Sequence, residues 1–209
     1  MLEDVSAALS ARLDPAGATW LAEACDRVRE GRQALGALFP AVGRRCGRGP
    51  LGSPVAELCG WTIDDAARTM LLAAVPLDGD ALAGEIEALY RHGDANERRG
   101  VLRALAVLDG AGLGNRALPL IRDALRTNDT RLVAAALGPY AVRHLEPAAW
   151  RQGVLKCAFV GVPLAEVAGL AERADTELAR MFADYANERE AAGRPVPEDV
   201  RLVAERKEA

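Results

Sequence analysis

Lys156 stands out among the residues of this sequence that could carry chemistry. The chain has 26 basic residues, and all of them are arginine except Lys156 and Lys207. Lys156 is also the only charged residue in the nearly apolar stretch 153–164, which predicts a buried helix. A buried ammonium group must reach solvent, pair with an anion or lose its proton. Its amine could therefore act as a base or form an imine, whereas an ion pair or a solvent-reaching stem would be purely structural.

Possible partners of this amine lie on the next predicted helix. At about 100° per residue, Phe182, Tyr185 and Arg189 share one stripe, and Asp184 and Glu188 lie beside it. A carboxylate at either position could pair with the lysine and set its protonation state. The predicted site consists of seven candidate binding or functional residues, with the catalytic role of each left open: Lys156, Gln152, Trp150, Asp184, Tyr185, Glu188 and Arg189.

The cysteines and histidines form no pattern of metal ligands. The four cysteines are spread along the chain without a C-x-x-C pair: Cys25, Cys46, Cys59 and Cys157. The two histidines, His92 and His144, lie far apart in the sequence. We therefore predict reduced thiols, no metal site and no cofactor.

Two further motifs match known patterns only in part. Gly47-x-Gly49-x-x-Gly52 fits the dinucleotide-binding expression, but no predicted strand precedes it and Pro50 opposes a helix start, so a loop is the preferred interpretation. The nearby arginines at 44, 45 and 48 are interpreted as a solvated loop cluster rather than an anion contact. Asp64-Asp65 begins an acidic D-D-x-x-D motif, but Arg68 replaces its last aspartate, which argues against magnesium held on a diphosphate.

The elements that position these residues are predicted to be helices. Half of the chain is apolar, and Asp14-Pro15 has the pattern of a helix start. Asp94 and Glu97 have the spacing of a capping box. The range 43–60 is rich in glycine, proline and arginine and is predicted to be a long loop.

From about residue 79 the helices are predicted to come in pairs. The segments 87–94 and 122–129 are similar and end in aspartates 35 residues apart. This recurrence favours an all-α fold of the irregular α-solenoid type, built from HEAT-like helical hairpins, with an irregular helical bundle as the alternative. We expect one helical domain over residues 1–193 and a charged tail over 194–209.

Charge and hydropathy limit the partners and the location. A net charge of −4 argues against nucleic-acid binding. The first residues are acidic where a signal peptide would be basic, and the stretch 153–164 is too short to span a bilayer. These features predict a soluble, cytoplasmic protein that is not integral to a membrane.

Residues 139–200 contain a dense series of short motifs: Pro139-Tyr140, Trp150-x-Gln152-x-Val154-Leu155-Lys156, Gly161-x-Pro163-Leu164, Leu170-x-x-Arg173-Ala174, Glu177-Leu178-Ala179-Arg180-Met181, Asp184-Tyr185-Ala186 and Glu188-Arg189. With these motifs, about sixty residues of the chain resemble the C-terminal half of the EboA-domain family. The resemblance implies a bacterial gene cluster that also encodes a membrane prenyltransferase, a TIM-barrel metal-dependent hydrolase and a sugar-phosphate cyclase-like enzyme. Such clusters are associated with making or moving a prenylated metabolite.

Two functions follow from the resemblance and the residues together. The first is a non-catalytic helical-repeat protein that binds a pathway intermediate, such as a prenylated or cyclitol-like metabolite, or a partner enzyme of the Ebo cluster. The alternative is a small enzyme of that pathway that uses Lys156 as a base or an imine-forming amine. Whether the chain is an enzyme stays open at this point.

Overall fold

The computed structural model describes residues 1–205, and every regular element in that range is helical. The α-helices are α1 (Leu2–Ser10), α2 (Pro15–Glu30), α3 (Leu35–Arg45), α4 (Ile63–Ala73), α5 (Gly79–His92), α6 (Ala95–Leu108), α7 (Leu118–Arg126), α8 (Thr130–Ala136), α9 (Pro139–His144), α10 (Pro147–Val160), α11 (Leu170–Arg173), α12 (Thr176–Ala191) and α13 (Glu198–Ala204). Short 3₁₀ turns occur at Arg32–Ala34, Ala56–Leu58, Asp109–Ala111, Gly114–Ala117 and Leu164–Glu166. The all-α prediction is confirmed.

The predicted HEAT-like solenoid is not confirmed, whereas the alternative of an irregular helical bundle fits the described helices. Helices α5 and α6 form a pair of equal length, with 14 residues each. The later helices are unequal, since α11 has 4 residues and α12 has 16. A regular solenoid needs repeats of similar length to stack on one another.

The chain divides into two compact units, the first from Met1 to Asp123 and the second from Ala124 onward. The expectation of one domain over 1–193 stays a prediction. Part of the segment expected to be a charged tail is helical, because α13 packs on α12 and buries Val200 and Val203.

Helix α4 is the centre of the first unit. It packs against α1, α2, α3 and α6, and it is buried around most of its circumference. The contact with α6 is close because Gly100 has no side chain: a Cβ at that position would lie 2.7 Å from Cδ of Arg68. A glycine at this point of α6 therefore leaves room for a large side chain of α4.

The predicted helix starts are confirmed. The Asp14 carboxylate accepts a hydrogen bond from the Gly17 amide at 2.6 Å, and Pro15 is the first residue of α2. Asp94 and Glu97 form the expected capping box of α6. These caps satisfy amides at the helix start that have no partner within the helix.

In the second unit, α10 packs on α8 and α12, but it is not the buried helix that the sequence predicts. Its inner face buries Trp150, Val154 and Cys157, whereas the Phe159 side chain is 61% exposed. The helix ends at Val160, where Gly161 adopts a left-handed conformation with φ of 79°. Apolar residues cover both faces of this helix, so composition alone could not distinguish the inner face from the outer one.

Candidate functional site

The predicted site residues of the second unit lie in separate environments. Trp150 is buried in α10, and the guanidinium carbon of Arg173 lies 4.8 Å from the centre of its indole ring. Gln152 points outward from the same helix and is exposed. Trp150 therefore belongs to the packing of the inner face, whereas Gln152 belongs to the outer face.

Arg173, which the sequence analysis did not assign to the site, holds the end of α9. Its guanidinium donates hydrogen bonds to the carbonyl oxygens of Ala141, Val142 and Leu145 at 3.1, 3.0 and 2.9 Å. Desolvation by burial lowers the pKa of Arg173 from its usual value. These carbonyls close a helix end, where cationic donors are favourable.

Tyr185 and Arg189 form a second packing group. The Tyr185 hydroxyl donates to the carbonyl of Ala158 at 3.2 Å, and its ring meets the ring of Phe159 edge-on at 4.6 Å. Arg189 donates to the Tyr185 hydroxyl at 3.2 Å and to the carbonyl of Pro195 at 2.7 Å. Through these two hydrogen bonds, Arg189 holds the segment that follows α12 against that helix.

Lys156 does not meet a carboxylate in the described chain. Its side chain is half-exposed on the outer face of α10, and no ion pair joins it to Asp184 or Glu188. Asp184 instead accepts a hydrogen bond from Arg180 at 2.7 Å, and both Asp184 and Glu188 are exposed. The functional roles of these residues stay predictions, without the lysine–carboxylate contact on which the catalytic alternative depends.

The first unit contains a group of buried charges that the sequence analysis missed. We call Asp64, Asp65, Arg68 and Arg99 the buried ionic cluster. Asp64 and Asp65 are 0% exposed, Arg68 is 1% exposed and Arg99 is 9% exposed. Two features of the sequence could have indicated this cluster. Asp64 and Arg68 are four residues apart on one helix, a spacing at which opposite charges pair, and Arg99 lies in an otherwise amphipathic helix.

The hydrogen bonds of this cluster leave its carboxylates well satisfied. Arg68 donates to Asp64 at 2.6 Å, and the Nε of Arg99 lies 2.8 and 2.9 Å from the two carboxylate oxygens of Asp65. Thr62 donates its hydroxyl to Asp64 at 2.6 Å and accepts a hydrogen bond from Arg99 at 2.8 Å. Desolvation raises the pKa of the Asp65 carboxyl, and the Arg99 guanidinium opposes that shift. Because arginines occupy these oxygens, the Asp64-Asp65 pair has a structural role and joins α4 to Arg99 of α6.

The chain that precedes α4 forms a closed loop. The Leu51 amide donates to the Trp61 carbonyl, and the Ile63 amide donates to the Gly49 carbonyl, both at 2.9 Å. Leu51 and Trp61 are also buried, so the two ends of the loop are fixed by packing as well. Compact loops with adjoining ends of this kind are frequently functional.

This closed loop lines a cavity of about 540 Å³ that is open to solvent, which we call the loop cavity. Arg48 and most residues between Pro50 and Thr62 line it. Its apolar wall is formed by Pro50, Pro54, Val55, Ala56, Leu58 and Trp61. A cavity of this size lies within the usual range for small-molecule sites, which is roughly 300–1,000 Å³. The loop was predicted, but a cavity within it was not.

Cys59 also lines the loop cavity and offers a chemical probe of it. It is exposed, whereas the other three cysteines are buried. Desolvation raises the pKa of the Cys25 thiol, raises that of Cys46 to about 11 and raises that of Cys157 to about 12.

We expect N-ethylmaleimide at pH 8 to modify Cys59 first, because the buried thiols are less accessible and less ionised. Their reaction should be at least about tenfold slower. Intact-mass spectrometry should show a single adduct, and Cys59→Ser should show none over the same time. Rapid addition of two or more adducts to the folded wild-type protein would contradict this assignment.

Within residues 1–205, no group of three or more histidine, cysteine, aspartate or glutamate side chains is arranged to hold a metal ion. In the same range, no helix has both the length and the apolar character needed to cross a membrane.

Comparison with known proteins gives one family match. The family described as metabolite traffic protein EboA matches residues 1–204. The match therefore extends beyond the resemblance at 139–200 and includes the loop cavity and the buried ionic cluster. No curated protein and no solved structure matches the chain.

Proposed function

Because this chain belongs to the EboA family, described as metabolite traffic proteins, we propose that it binds a small metabolite in the loop cavity without transforming it. The bound molecule is then passed to another protein of the same pathway. The observation that supports this proposal is the loop cavity itself, which combines an apolar wall with a few polar groups.

The polar groups of the cavity favour binding over catalysis. The Ser53 hydroxyl already accepts a hydrogen bond from the Val55 amide at 3.2 Å. The Thr62 hydroxyl is held by Asp64 and Arg99 of the buried ionic cluster. The Asp64 carboxylate that accepts from Thr62 is buried and paired with Arg68 and Arg99, and neither histidine nor carboxylate lines the cavity to activate a nucleophile there.

We expect a cavity-filling substitution to remove the bound metabolite. Ala56 lines the loop cavity and is exposed, so Ala56→Phe places a phenyl group in or across the cavity with little cost to the core. Native mass spectrometry of protein isolated gently from its own cells should show a non-covalent small-molecule adduct. The adduct should fall at least about tenfold in Ala56→Phe, which corresponds to a loss of about 1.4 kcal/mol of binding free energy.

The matched control is Ala88→Phe, since Ala88 is an exposed alanine on α5 that does not line the cavity. Equal adduct in both variants, or no adduct in the wild-type protein, would contradict the proposed function. Covalent trapping of a carbonyl compound on Lys156 by borohydride, lost in Lys156→Arg, would instead favour the catalytic alternative.

A further inference from the structure

The charge at the loop cavity is positive. Arg48 is the one charged residue that lines it, and no described ion pair involves Arg48 or the neighbouring Arg44 and Arg45. Glu57 belongs to the same loop but is exposed and does not line the cavity. A ligand in this cavity therefore meets a cation that the described protein leaves without a counter-charge.

Gly43 leaves space for the Arg48 side chain. A Cβ at Gly43 would lie 2.6 Å from Nε and 3.3 Å from one Nη of Arg48. The guanidinium therefore lies against the backbone of α3 at Gly43, and a Cβ at that position would displace it.

We infer that the loop cavity binds an apolar molecule with an anionic head group, a carboxylate or a phosphate. The head is recognised by the Arg48 guanidinium, and the apolar part lies against Val55 and Leu58. Charge-assisted hydrogen bonds from a guanidinium are strong and suit both oxyanions. This inference rests on the proposed function, because it names the class of metabolite that the same cavity takes.

Titration calorimetry with the full-length protein tests the head group. The probes are octanoate, octyl phosphate and 1-octanol, which share an apolar chain and differ in the head. We expect both anions to bind at least about tenfold more tightly than 1-octanol at low salt, and the difference to shrink as ionic strength rises.

Two variants should remove this preference without harming the fold. Arg48→Gln deletes the charge of an exposed side chain. Gly43→Ala keeps the arginine but displaces it, and alanine is a better helix former than glycine at this position in α3. The matched control is Gly36→Ala in the same helix, since a Cβ there would meet nothing within 4 Å, and it should bind all three probes like the wild-type protein.

The outcomes separate this inference from the proposed function. Equal affinity for octanoate and 1-octanol, no binding of either anion, or an unchanged preference in Arg48→Gln would overturn the anionic head group. A cell-derived adduct that disappears in Ala56→Phe would still support metabolite binding in each of those cases. If that adduct is absent as well, both the function and the ligand class are wrong.

Discussion

Arg99→Met is expected to destabilise the first unit by about 3–5 kcal/mol, because it removes the arginine that pairs directly with the buried Asp65 carboxylate. The substitution keeps much of the volume of the arginine stem, so the loss reflects charge and hydrogen bonding more than a cavity. It also removes the hydrogen bond from Arg99 to Thr62, the N-cap residue of α4. Urea denaturation followed by circular dichroism measures the change in unfolding free energy.

The control for this prediction is Arg91→Met. Arg91 pairs with Glu87 one helical turn away, and both side chains are largely exposed. Such surface pairs contribute about 0–1 kcal/mol. Asp65→Asn combined with Arg99→Met should recover part of the loss, because the buried charge is then gone while the asparagine can still accept from the Thr62 amide. A loss no larger than that of Arg91→Met would show that the buried ionic cluster does not stabilise the unit.

Arg173→Met is expected to destabilise the second unit by about 3 kcal/mol. The substitution removes three hydrogen bonds to the carbonyls that end α9 and the contact of the guanidinium with the Trp150 ring. Hydrogen bonds to charged donors contribute about 1.5–3 kcal/mol each, but three that share one side chain are not additive. Thermal and urea unfolding should both report the loss, and the near-ultraviolet signal of Trp150 should change in the folded state.

Arg180→Met provides the comparison for Arg173→Met. Arg180 pairs with Glu177 and Asp184 on the exposed face of α12, and each distance is as short as those made by Arg173. Because these partners are in solvent, we expect a loss of no more than about 1 kcal/mol. Similar losses of unfolding free energy in the two variants would mean that the carbonyls of α9 form hydrogen bonds with water when Arg173 is removed.

Local features of this fold were predictable from the sequence, and contacts between distant residues were not. The helix starts at Asp14 and Asp94 were correct because each depends on hydrogen bonds within three residues. The stretch 153–164 was predicted to be buried, but its apolar residues lie on both faces of α10, and the pattern does not indicate which face meets the core. The family was recognised correctly from the motifs at 139–200.

The two main features of the first unit depend on tertiary contacts. Asp65 is paired with Arg99, 34 residues further along the chain, and neither residue indicates the other in the sequence. The cavity exists because Leu51 and Trp61 join the two ends of a glycine-rich loop through a backbone hydrogen bond. Without that bond, the loop residues would only connect two helices. Sequence patterns identify such loops but do not show whether they line a cavity.

The closure of this loop has a consequence for how the protein can evolve. The backbone bonds at 49–51 and 61–63 anchor both ends next to α4, so the residues between them contribute little to the start of that helix. Loops tolerate insertions and substitutions at low entropic cost when their ends are held. Homologues could therefore change the length and side chains of residues 52–60, and with them the lining of the loop cavity, while the helical scaffold stays the same.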